Sequence, residues 1–191
     1  MTRWTPILVA VLTAGSWAAA EPPAAADPMK LMLQLGQPGE HHAHMAKLVG
    51  KWSARGKFWV APDQPPSESL GTMVIEPALN GRFLRSEYTG EYLGTPFHGL
   101  GYDGYDNLKR KHVGMWVDDM GTTMMTFEGT CSDGGKITTM HTTVDDPVSG
   151  DPMAMRTVAT VVDTRTLRYE TFVALADGSE FKTMEIVYTR Q

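Results

Sequence analysis

The sequence predicts an all-β fold, a single up-and-down antiparallel β-barrel of about ten strands behind a short N-terminal helix. Three observations carry this expectation. From Trp52 onward apolar residues recur with period two, the spacing that gives a strand one inward face. Turn signals separate these runs, mostly at the intervals of about 8–12 residues typical of barrels and sandwiches. They include Asn80-Gly81, Leu93-Gly94-Thr95-Pro96, Asp106-Asn107, Met120-Gly121, Asp133-Gly134-Gly135, Asp163-Thr164-Arg165 and Asp177-Gly178. No stretch between Trp52 and Gln191 has the length and period of a crossover helix, so each connection reads as a hairpin. Closing such a meander removes both of its unpaired edges.

Composition narrows the function classes. The 191 residues suit one domain with a real core, and a 42% hydrophobic share is too high for a disordered chain. A net charge of −5 lacks the concentrated basic face of a nucleic-acid binder. One cysteine, Cys131, excludes an intramolecular disulfide and a four-cysteine zinc site.

Taken in order, the elements begin with a leader. Arg3 precedes an apolar stretch from Pro6 to Ala20 that ends in small residues, the pattern of a secretory signal peptide over residues 1–20. The stretch is short for a membrane span and ends without a basic stop, so no stable membrane anchor is expected. Cleavage near Ala20, with a second small-residue site at Ala26, releases an acidic periplasmic or secreted protein. Residues 21–37 read as a flexible tail with one helical turn at most. The barrel domain occupies residues 38–191 and opens on a short helix, with Met45, Leu48 and Val49 on one face and Gly50 as its stop.

Three strands alternate cleanly: Trp52, Ala54, Phe58 and Val60; Leu84, Tyr88 and Tyr92; Leu167, Tyr169, Thr171 and Val173. Others carry bulky apolar groups on both faces, as where Val113, Met115 and Val117 oppose His112, Gly114, Trp116 and Asp118. Part of the outer wall should therefore be covered, either by the N-terminal helix or by a second copy of the chain in a homodimer.

A set of local motifs adds a resemblance. Gly50-Lys51-Trp52 after a short helix looks like the G-x-W signature of calycins, the lipocalin and fatty-acid-binding barrels. The fuller pattern is more specific. It joins Met45-Ala46-Lys47-Leu48-Val49-Gly50-Lys51-Trp52, Asn80-Gly81-Arg82-Phe83-Leu84, Pro96 to Asn107, Trp116 to Thr122 and Phe181 to Arg190. Together these resemble the bacterial family known as domain of unknown function 1579 over about residues 38–191. The resemblance implies a calycin-like barrel and no activity.

Candidate sites follow from chemistry and position. Trp52, Phe58, Tyr88, Tyr92 and Tyr169 share inward faces, and a barrel of this strand number is wide enough to keep a cavity for a small apolar or amphipathic molecule. The same rings would otherwise pack a filled core, leaving a structural module that acts through its surface. Trp116, His141 and Arg156 are the polar-tipped candidates for the interior. Arg156 would anchor a ligand's acidic head group, as the resemblance to fatty-acid-type barrels implies, or else lie outside in a solvated ion pair with Asp118. The expected site has no metal or cofactor. The alternatives are copper on His41, His42, His44 and Met45, a soft thioether and imidazole set, and haem on His98, His112 or His141. No G-x-S-x-G, phosphate-loop, H-E-x-x-H or paired-cysteine motif occurs, and Cys131 has no neighbouring histidine in sequence, so no enzyme is expected.

Overall fold

A computed structural model describes residues 27–191. The leader read from residues 1–20 and its cleavage site lie outside the described residues. Two short helices, α1 (Pro28–Leu35) and α2 (Glu40–Ala46), precede ten strands. These are β1 (Gly50–Phe58), β2 (Ser67–Ala78), β3 (Phe83–Tyr92), β4 (Thr95–Asp106), β5 (Lys111–Asp118), β6 (Met125–Ser132), β7 (Ile137–Asp145), β8 (Pro152–Val161), β9 (Thr166–Ala174) and β10 (Glu180–Arg190). Each strand pairs antiparallel with its sequence neighbours, and β1 pairs with β10 to close the barrel. The expected meander of ten strands is the observed fold.

The N-terminal segment differs from expectation in detail. The tail contains a two-turn helix, α1, started by Pro28 and capped by Asp27, whose carboxylate accepts from the Met29 amide at 3.0 Å. None of its residues is buried, and Met29, Leu31, Met32 and Leu33 all face solvent. Helix α2 stops at Ala46, short of Gly50. Gly50 opens β1 at φ +144°, where a Cβ would lie 2.5 Å from the Arg190 guanidinium. The His42 side chain turns back to accept from the Gly39 amide at 3.0 Å and closes the helix start. Val60, which continues the first strand's alternation, lies beyond its end and is exposed.

The register explains the buried face. Trp52, Ala54, Gly56 and Phe58 on β1 sit level with Tyr188, Ile186 and Met184 on β10 and with Met73, Gly71 and Ser69 on β2. With Met45 of α2, Ile75, Leu84 and Leu167, these residues make a core gathered toward one side and the base of the barrel. Polar clamps hold the helical segment there. The Trp52 indole donates to Leu48 O at 2.9 Å, and Arg190 donates to Val49 O and Lys47 O while stacking 4.1 Å above the Trp52 ring. The Asn107 amide donates to Leu35 O and Gln37 O and ties the linker between the helices to the β4–β5 turn.

The opposite wall is different. Along β5 to β8 the buried side chains are His112, Met140 and Thr157. The double apolar pattern here arises because Val113, Met115 and Val117 face outward while His112, Gly114, Trp116 and Asp118 line the interior. Helix α2 packs at the base, on β3, β4 and the turn Asp133–Gly135, and so is not the outer cover that the sequence suggested.

Candidate functional site

Several inward positions are glycine, and aromatic rings lie over some of them. A Cβ on Gly99 would stand 2.2 Å from the Trp116 ring, one on Gly71 would strike the Tyr88 hydroxyl end at 2.3 Å, and one on Gly56 would meet Phe58 at 2.7 Å. The rings therefore rest along the wall instead of crossing the lumen. Phe58, Tyr92, Tyr88 and Phe97 form a chain of edge-on and tilted contacts, with centroids 4.8–6.0 Å apart, on the side away from α2. Trp116 completes this region, its indole donating to Asp118 at 2.9 Å. Of the aromatic residues expected to line a cavity, Phe58, Tyr88, Tyr92, Trp116 and Tyr169 all turn inward. Trp52 does too, but it is 2% exposed and belongs to the base of the core.

Polar groups project into the same space with few partners. Ser69 Oγ, the Tyr88 hydroxyl and Thr171 Oγ1 are buried and make no hydrogen bond. Burial raises the Tyr88 hydroxyl's pKa, and the Ser69 hydroxyl lies near it without a hydrogen bond of normal geometry. Asp103 faces inward opposite Leu84 and Gly114, with an oxygen 2.9 Å from where a Gly114 Cβ would lie and Met140 close by. Its side chain is accessible to solvent, yet it lies deep between the strands, and removal from bulk water pushes its pKa up to about 6. Tyr169 stands nearby. Burial pushes its pKa up to about 12, and the Asp103 charge adds to this. Tyr188 is raised as well, by burial first and then by Tyr169 and Tyr88.

Two expected interior residues lie outside. Arg156 pairs with His141 across β7 and β8 on the outer face, makes a two-pronged ion pair with Glu180, and stacks 4.2 Å over Phe172. Arg156 is thus the solvated alternative, with Glu180 as its partner in place of Asp118. Burying an unpaired guanidinium would have cost more than this surface pairing. His141 is exposed, and both residues border a wide-mouthed hollow of about 350 Å³ along β7 and β8. Four of its six lining residues, His141, Thr143, Ala154 and Arg156, turn outward, so it is separate from the lumen.

The histidine cluster also divides. His42 caps its own helix, and His44 lies 3.9 Å from Glu40. His41 turns toward the barrel, stacking on Tyr105 at 3.9 Å, with its Nδ1 3.3 Å from Cys131 Sγ. His112, 6% exposed, joins them edge-on, with ring centroids 5.4 Å apart, and its Nε2 has no partner. Burial, and then His41, His42 and His44, push the His112 pKa down to about 4, so the ring is neutral at ordinary pH. Of the alternative copper set, His44 and Met45 border a small cavity with His112 and Cys131, His41 reaches Cys131, and His42 caps its own helix. His98, the other haem candidate, bonds Glu87 at 3.0 Å and is half exposed.

Sequence reasoning missed Asp103, Ser69 and Thr171 as a polar lining, and the meeting of Cys131 with a histidine. Period two places Asp103 in line with Phe97, Gly99, Gly101 and Tyr105, so its inward direction was readable. The Cys131–His41 contact spans 90 residues and left no local signal.

The model of a family described as protein of unknown function (DUF1579) matches residues 37–190. The chain belongs to this family. Among solved structures, Rv2717c from M. tuberculosis superposes with a TM-score of 0.57 at 16% identity, over 81% of this chain and 99% of that one, and shares the fold. A fluorescence-activating β-barrel designed de novo is similar at 13% identity and a TM-score of 0.44, covering 81% and 100% of the two chains. A further barrel, EF1p2_mFAP2b bound to DFHBI, is similar at 11% identity and 0.44, covering 80% and 100%. No curated protein matches the chain in sequence.

Proposed function

We propose that this family member binds a small amphipathic molecule in the barrel lumen without transforming it. The observation that carries the reading is the set of inward polar groups left unpartnered, Ser69 Oγ, Tyr88 OH and Thr171 Oγ1, together with an Asp103 carboxyl that has no ion pair among the described residues. An interior evolved only for packing would have apolar groups there, because each orphaned polar atom costs about 1–3 kcal/mol. A ligand with an amine or hydroxyl head can satisfy these atoms while its apolar body lies on Phe58, Tyr92, Phe97 and Trp116. The same orphaned atoms weigh against a filled structural barrel. The leader pattern in residues 1–20 supports an exported carrier, and an intact mass of the secreted chain beginning at Glu21 would bear this out. The outward stripe of Val113, Met115 and Val117 supports a second copy of the chain as its cover, checked by light scattering.

Titration with matched cationic and anionic amphiphilic dyes tests the binding site. The cationic dye should bind inside, and Asp103→Asn should weaken it about tenfold, the equivalent of one lost charge-assisted contact. Absence of binding by either dye, or equal binding by wild type and Asp103→Asn, overturns the reading.

A further inference from the structure

We infer that His41, His112 and Cys131 form a binding site for a thiophilic transition-metal ion, zinc(II) or copper(I), at the base of the barrel. This site is separate from the lumen proposal and does not depend on it. The three side chains come from α2, β5 and β6, and their donor atoms all lie within 4.8 Å of one another. In a tetrahedral site with metal–sulfur near 2.3 Å and metal–nitrogen near 2.0–2.1 Å, donors stand about 3.3–3.6 Å apart, so closure takes shifts of about an ångström. His41 and Cys131 already stand at 3.3 Å.

The second observation is His112. It is 6% exposed, and its Nε2 has no hydrogen-bond partner. A buried imidazole nitrogen without a partner is expensive, and a thiol and a second imidazole within 4.8 Å of that ring offer it a shared metal ion. Tyr105 holds both rings, stacking on His41 at 3.9 Å and meeting His112 edge-on at 5.1 Å. A fourth position is available beside them. His44 Nδ1 is likewise buried without a partner, and a cavity of about 30 Å³, the size of one water, is bordered by His44, Met45, His112 and Cys131.

The donor chemistry selects the ion. One thiolate and two neutral imidazoles, with no carboxylate, suit zinc(II) or copper(I) and disfavour calcium and magnesium. On binding, the metal forms a bond to sulfur, the Cys131 S–H bond breaks, and the proton leaves to solvent with no change in oxidation state. A bound ion would pin α2 to β5 and β6.

The test uses the full chain with each metal alone: zinc(II) in competition with a chromophoric chelator, copper(I) in competition with bicinchoninate under reducing, oxygen-free conditions, and cobalt(II) as an optical reporter. We expect one ion per chain and a thiolate-to-cobalt charge-transfer band. Cys131→Ser should abolish the band, Cys131→Ser and His112→Ala should each weaken binding at least tenfold, and the outer-face control His141→Ala should leave it unchanged. If His112→Ala does not fold, as judged by circular dichroism, His41→Ala on the partly exposed helix carries the same expectation. Retention of the ion at wild-type affinity in Cys131→Ser together with either histidine variant overturns the site.

Discussion

Asp103 is the residue whose surroundings most depart from an ordinary surface carboxylate. Its pKa rises from 3.8 to about 6 because protein replaces water around it. Between those values the folded state keeps a proton that the unfolded chain has released, so stability falls as pH rises through the window. Above it the ionised carboxyl costs about 1 kcal/mol once the screening by solvent in the lumen is allowed for. Asp103→Asn should therefore raise stability at about pH 7.5 and make no difference near pH 4. Denaturant midpoints at the two pH values check this; an equal gain at both would assign the effect to something other than charge. The same substitution weakens the proposed ligand, so it separates stability from binding. The lumen's glycines offer a second test at this scale. Gly99→Ala places a methyl 2.2 Å from the Trp116 ring and should cost about 1–3 kcal/mol by pushing the indole off the wall. Urea unfolding followed by tryptophan emission would register both the loss and the ring's new surroundings.

Among the elements, α2 depends most on tertiary contacts. Seven residues make too short a helix to hold in water, and its neighbours secure it through Trp52, Arg190 and Asn107. Arg190→Ala removes two hydrogen bonds to the 47–49 carbonyls and the stacking on Trp52, and should cost about 1–3 kcal/mol. Amide exchange should quicken in residues 40–49 and stay slow in β9 and β10; a uniform increase along the chain would mean that the barrel itself had loosened. Helix α1 is the contrasting case. It buries none of its residues, so removing residues 27–36 should change stability by less than about 1 kcal/mol, read from the thermal midpoint. The existence and order of these elements were readable from turn signals and periodicity. The second helix turn in α1 and the early end of α2 were not, because caps and tertiary clamps set helix ends more than composition does.

For the whole molecule, a closed sheet explains how a chain with one cysteine stands without disulfides: every strand has two hydrogen-bonded neighbours and no edge is left open. The core is one-sided, with the β1–β3, β9 and β10 wall and α2 packed tightly and fewer side chains buried along the β5–β8 wall. A ligand bound in the lumen should stabilise the fold by mass action, so the thermal midpoint should rise with dye concentration. An unchanged midpoint at saturating dye would place the dye on the surface.

By itself the sequence determined the fold class, the strand count and the inward direction of Phe58, Tyr88, Tyr92 and Tyr169. Each of these depends on local alternation and turn chemistry, and a one-residue slip would reverse every side chain on a strand. Tertiary structure decided what the alternation left ambiguous. Where both faces of a strand carried plausible residues, closure of the barrel sent Arg156 and His141 out to the Glu180 side and brought Trp116 and His112 in. It also brought Cys131 to His41 across 90 residues of chain. Such a meeting depends on which strands become neighbours and on where α2 docks, and no window of sequence contains that information.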